Sequence, residues 1–110
     1  MVEALWGVEF VSSGGNFGYG VAVLETGRIL GGDSSFVFVG TYIVESGIIK
    51  ANIKCTNDRK ILESIFGDIG EFNLVIEGAV GEREINLQGH LVENTQMRIG
   101  VKLSRRAELP

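Results

Sequence analysis

Hydrophobic residues recur at every second position along most of this chain, the period of strands whose side chains alternate between two faces. Over residues 3–12, Trp6, Val8 and Phe10 share one face, and Leu5, Gly7, Glu9 and Val11 the other. Residues 12–16, Ser-Ser-Gly-Gly-Asn, are turn chemistry. Residues 17–25 set large side chains at 17, 19, 21 and 23 against Gly18, Gly20 and Ala22. A row of small residues on one strand face permits sharp coiling or close approach by another element. Thr26-Gly27 closes a hairpin into a short strand over 28–30, and the tight Gly31-Gly32-Asp33 turn leads into a long strand. That strand is apolar on both sides: Phe36, Phe38, Gly40, Tyr42 and Val44 on one, Val37, Val39, Thr41 and Ile43 on the other. One side is expected to line a closed core and the other to meet a covering layer or a second subunit.

Ser46-Gly47 signals a further two-residue hairpin. Beyond it, Ile49, Ala51, Ile53 and Cys55 alternate with Lys50, Asn52, Lys54 and Thr56, giving one dry face and one wet face. The pattern then changes. Ile61, Leu62, Ile65 and Phe66 recur at helical spacing, with Asn57 or Asp58 to cap the start and Gly67 to end the turn. One short helix around residues 57–66, lying across the end of a sheet, is the expectation. Alternation resumes over 71–80 with Phe72, Leu74 and Ile76, over 83–92 with Ile85, Leu87 and Leu91, and over 96–105. In that last segment Met97, Ile99, Val101 and Leu103 oppose Arg98, Gly100, Lys102 and Ser104. The fold class is therefore all-β, with about eight strands joined mostly by short glycine-rich turns. Sequential hairpins make an antiparallel up-and-down meander, which removes its edges by closing into a barrel. A sandwich needs longer crossing connections, and only the helical connection is long. Residues 1–110 are read as a single domain.

Composition sharpens this picture at a few points. Glycine, at 16 of 110 residues, is about twice ordinary usage, and Pro110 is the only proline, so the strands are free to donate ladder hydrogen bonds. A net charge of −4 argues against nucleic acid, whose phosphates need a basic surface. No run approaches 18 apolar residues and no leader pattern is present, so no membrane partner and a cytoplasmic location are expected. Cys55 stands alone and has no internal disulfide partner.

No constellation of side chains points to catalysis, a cofactor or a metal. The Gly-Gly-Asp-Ser-Ser segment at 31–35 lacks the Lys-Ser/Thr of a phosphate loop and opens a strand instead of a helix. A tight turn with an Asx side-chain bond is expected there, with positive φ at Gly31 or Gly32. His90, the sole histidine, shares a polar face with Asn86 and Gln88 and reads as a surface residue. Cys55, beside Ile53 and Ala51, reads as a small buried hydrophobe. An enzyme is not expected. The aromatic and methionine set of Trp6, Phe10, Phe38, Tyr42, Phe72 and Met97 is placed to converge inside the barrel. An eight-stranded barrel is just wide enough to be filled by side chains or to hold one small ligand. With so many large residues, filling is the expectation and a ligand contacting those six residues the alternative. Val37, Val39 and Ile43, if outside, form a patch that a homodimer would bury. The opposite facing would put Phe36 and Phe38 there.

One ordered pattern runs through nearly the whole chain: Ala-Leu-Trp-x-Val-x-Phe at 4–10, Phe-Gly-Tyr-Gly-Val-Ala-Val from residue 17, and Glu-Thr-Gly-Arg-Ile-Leu-Gly-Gly-Asp-Ser-Ser-Phe at 25–36. Gly-Thr-Tyr at 40–42 and a terminal Arg-Arg-Ala-Glu-Leu-Pro complete it. This pattern resembles the GrlR-like family of bacterial regulators, which act negatively on type III secretion genes; Leu-Gly-Gly-Asp after Thr-Gly-Arg is its most specific part. The resemblance implies a lipocalin- or calycin-like barrel with an apolar interior, a homodimer, and a protein partner, a transcriptional activator, bound in place of DNA. Enteric members carry an acidic run in the hairpin after the long strand, where this chain has Glu45 alone.

Overall fold

A computed structural model describes residues 1–13, 15, 17–34, 36–57 and 70–110. They form eight strands: β1 (Ala4–Ser12), β2 (Phe17–Glu25), β3 (Arg28–Gly32), β4 (Phe36–Glu45), β5 (Ile48–Asn57), β6 (Glu71–Ala79), β7 (Glu84–Leu91) and β8 (Arg98–Ala107). Each pairs antiparallel with its sequence neighbour, and β8 returns to β1, so the meander closes into a barrel. The expected short helix falls on residues that, apart from Asn57 at the end of β5, lie outside the described set.

Local chemistry explains the hairpins. Thr26 and Gly27 hold φ of 51° and 77°, and Ser46 and Gly47 hold 52° and 78°. Two consecutive left-handed residues are the type I′ turn, whose twist matches that of the strands it joins. Gly31 and Gly32 correct the expectation made for them. Neither has a positive φ, and both are strand residues that extend β3 to Gly32. The turn itself begins at Asp33, whose side chain accepts a hydrogen bond from the Phe36 N–H at 2.7 Å while its own N–H donates to the Phe36 carbonyl at 3.0 Å. Gly31 is needed for proximity: a Cβ there would stand 2.1 Å from the Val21 carbonyl oxygen and 2.6 Å from the Ala22 Cα.

Alternation decides which faces turn inward. Phe36, Phe38 and Tyr42 of β4 are buried, whereas Val37, Val39 and Ile43 face out. Val44, on the same side of β4 as Tyr42, is exposed next to the hairpin. Ile49, Ala51 and Cys55 of β5, Phe72, Leu74 and Ile76 of β6, Ile85, Leu87 and Leu91 of β7, and Ile99, Val101 and Leu103 of β8 complete the core with Trp6 and Val8.

One end of the barrel is plugged. Trp6 is fully buried, and its Nε1–H donates to the Val2 carbonyl at 2.8 Å. The Arg105 guanidinium carbon lies 4.9 Å from the Trp6 ring centroid. Arg105 Nε donates to the Glu82 carbonyl at 2.6 Å, Nη1 to Glu108 at 3.3 Å, and Nη2 to the Met1 carbonyl. Its phase follows Leu103, and a register shift pairs Trp6 with Arg105 but Leu5 with Ala107. The shift skips Arg106 in the β1 ladder, just beyond the regular Trp6–Arg105 pair.

Candidate functional site

The described residues do not fill the interior. An apolar cavity of about 230 Å³ occupies the barrel above the Trp6 plug, with Val8, Phe10, Phe38, Phe72, Leu87 and Val101 among its walls. Filling by side chains is the expectation; the space that the described residues leave has its reason on two strands. β2 turns Gly18, Ala22 and Leu24 inward, two of them small, and all three line the cavity, with Tyr19 at its edge 53% exposed and Val21 44% exposed. Ala51 of β5 adds a second thin wall. The six residues expected to converge divide evenly. Phe10, Phe38 and Phe72 line the cavity, Phe10 meeting Phe38 edge-on with centroids 5.9 Å apart. Trp6 belongs to the plug, Tyr42 is buried in the core, and Met97 is half-buried, packed against the core ahead of β8; none of these three is among the cavity walls.

Polar groups reach the cavity at the β3–β4 turn, where Asp33 and Ser34 contribute to the wall. Cys55 lines it from β5. Burial pushes the Cys55 thiol up to about 12, and the negative charges of Asp33 and Glu93 add to the rise. The thiol is therefore protonated near neutrality, and acts as an apolar surface rather than a nucleophile. Glu93 accepts from the Asn73 backbone N–H at 3.0 Å and from its side-chain amide at 2.7 Å, and these bonds hold its carboxyl below the usual range. His90 is half-buried on β7, with Nδ1 3.0 Å from the Leu91 carbonyl. Among the described residues no group of three or more His, Cys, Asp or Glu converges as metal ligands would.

The outer surface is divided. On β5 and β7 it is polar, with Lys50, Asn52 and Lys54, then Glu84, Asn86 and Gln88 exposed. Ion pairs cross it, Lys54 to Glu71 at 3.6 Å and Lys102 to Glu84 at 3.4 Å. On β2, β3 and β4 it is apolar: Leu30 stands between Val23 and Val39, and Val37 lies across from Gly32, itself opposite Val21. Val37, Val39 and Ile43 are 39%, 51% and 55% exposed. Among the described residues no helix is long and apolar enough to cross a membrane. Comparison with protein-family models and with curated proteins finds no match for this chain.

Proposed function

We propose that this protein is a non-catalytic binding barrel that holds one small apolar molecule in its interior. The observation that carries the reading is the 230 Å³ cavity. Protein interiors are close-packed, so apolar walls that face a cavity of this size lack the contacts an occupant would supply. Wild-type protein is expected to take up an environment-sensitive apolar fluorophore saturably, one per chain. Ala51→Phe, which places a ring in the cavity, is expected to abolish uptake while leaving the strand circular dichroism intact. Uptake that never saturates, or that survives Ala51→Phe, would refute the reading.

A second reading rests on the apolar outer face of β2–β4. Exposed apolar residues in a contiguous patch mark protein contacts, whereas scattered ones do not. On this reading Val37, Val39 and Ile43 are buried in a homodimer or against a protein partner. The resemblance to GrlR-like, calycin-like regulators gives that partner a form: a cytoplasmic transcriptional activator of type III secretion genes, occupied by this chain.

A further inference from the structure

The wall of the interior is divided along the barrel axis, and the division follows from strand direction. β1 starts at the Trp6 plug, so in an antiparallel meander the odd-numbered strands leave that end and the even-numbered ones approach it. Phe10 lies near the far end of β1, Phe36 and Phe38 open β4, and Phe72 opens β6. Every phenylalanine among the described walls therefore stands at the end opposite Trp6. Register agrees: Phe38 pairs with Cys55 and Cys55 with Phe72, while Phe36 pairs with Asn57, the last residue of β5. Toward the plug the wall is aliphatic, with Leu24, Ile29, Ile49 and Leu103. Phe10 and Phe38 meet at 83°, so together they offer a guest both a ring face and a ring edge. A face is electron-rich and an edge electron-poor, so an aromatic guest complements both, whereas a saturated ring has no such quadrupole. Volume sets the scale: benzene occupies an apolar cavity of about 150 Å³, so 230 Å³ has room for one ring with a short chain.

We propose that the cavity selects a small aromatic molecule, a benzene ring carrying at most a short alkyl chain, over the saturated ring of the same carbon skeleton. The ring sits among Phe10, Phe36, Phe38 and Phe72, and the chain points toward Trp6. This rests on the interior being a binding site, and the experiment separates the two claims. Toluene and methylcyclohexane are each equilibrated with the full chain, and their loss from the headspace vapour is measured by gas chromatography. The wild type is compared with Phe10→Leu, Phe38→Leu, Ile49→Val and Ala51→Phe. Methylcyclohexane is the more hydrophobic ligand, so burial alone would favour it. Toluene is nevertheless expected to bind the wild type at least as tightly, one per chain. Aromatic pairing is worth about twofold to tenfold in affinity beyond area burial, and each leucine variant is expected to shift the ratio toward methylcyclohexane within that range. Ala51→Phe is expected to block both ligands. A wild type that prefers methylcyclohexane, or an unchanged ratio in the folded leucine variants, overturns the aromatic selectivity and leaves the binding reading standing. So does an equal shift in Ile49→Val, which enlarges the cavity without removing a ring. Uptake of neither ligand, or uptake that persists in Ala51→Phe, overturns the binding reading itself. Should one leucine variant not fold, the other decides; should neither fold, the wild-type comparison does.

Discussion

Cys55 shows how burial turns a reactive side chain into a wall. Its folded-state pKa of about 12 lies above the ordinary 9.0, so the folded state favours the thiol. For a raised pKa the stabilisation is complete below the ordinary value and is lost as pH climbs toward the folded one. Wild-type stability is therefore expected to fall between pH 9 and 12, by about 4 kcal/mol if this group acts alone. Urea titrations of wild type and Cys55→Ala across that window check it, and the variant is expected to lose less. Gly31 makes a different point. Its substitution by alanine should cost about 1–3 kcal/mol, because the new Cβ meets backbone, 2.1 Å from the Val21 oxygen, and backbone cannot rotate aside. Thermal denaturation measures that loss, and an unchanged midpoint would mean that β2 and β3 separate freely at this point.

Among the strands, β1 and β8 carry the closure. Trp6 and Arg105 face each other beside the bulge, and the guanidinium ties Val2's neighbour Met1, the β6–β7 connection at Glu82, and Glu108 into one plug. Stacking of this kind contributes about 0.5–2 kcal/mol, and the planar fork of donors is specific to arginine. Arg105→Ala is expected to destabilise by about 1–3 kcal/mol, with Arg105→Lys rescuing only part, since a lysine has neither the plane nor the fork. Chemical denaturation of the two variants reads the difference. Full rescue by lysine would assign the plug to charge alone.

The whole molecule has two faces with different chemistry. Ion pairs and amides cover the β5 and β7 side, whereas Val21, Leu30, Val37, Val39 and Ile43 lie exposed on the other. If that side is an interface, sedimentation at micromolar concentration is expected to show a dimer, and Val39→Lys a monomer of unchanged stability. A wild-type chain that sediments as a monomer would remove the homodimer. The interior measurements are independent of this outcome, because Val39 points away from the cavity.

Period-two alternation and turn chemistry are local properties, and they alone determined that this chain is eight antiparallel strands in sequence order. They also placed Thr26-Gly27 and Ser46-Gly47 in hairpins, and Phe36 and Phe38 opposite Val37 and Val39. Closure decided the rest. Whether β2 turned its large or its small row inward was undetermined by a pattern in which both rows are uncharged up to Glu25, and the choice of Gly18 and Ala22 made the cavity. The two glycines after Leu30 looked like a turn because glycine serves two purposes, and only the neighbouring strand shows that Gly31 admits a backbone. Arg105 shares the phase of Leu103, but only the pairing of β1 with β8 sets it opposite Trp6 with its guanidinium against the ring. Each of these depends on which residues of strands far apart in sequence reach the same height in the barrel, and that is set by register and closure rather than by neighbours along the chain.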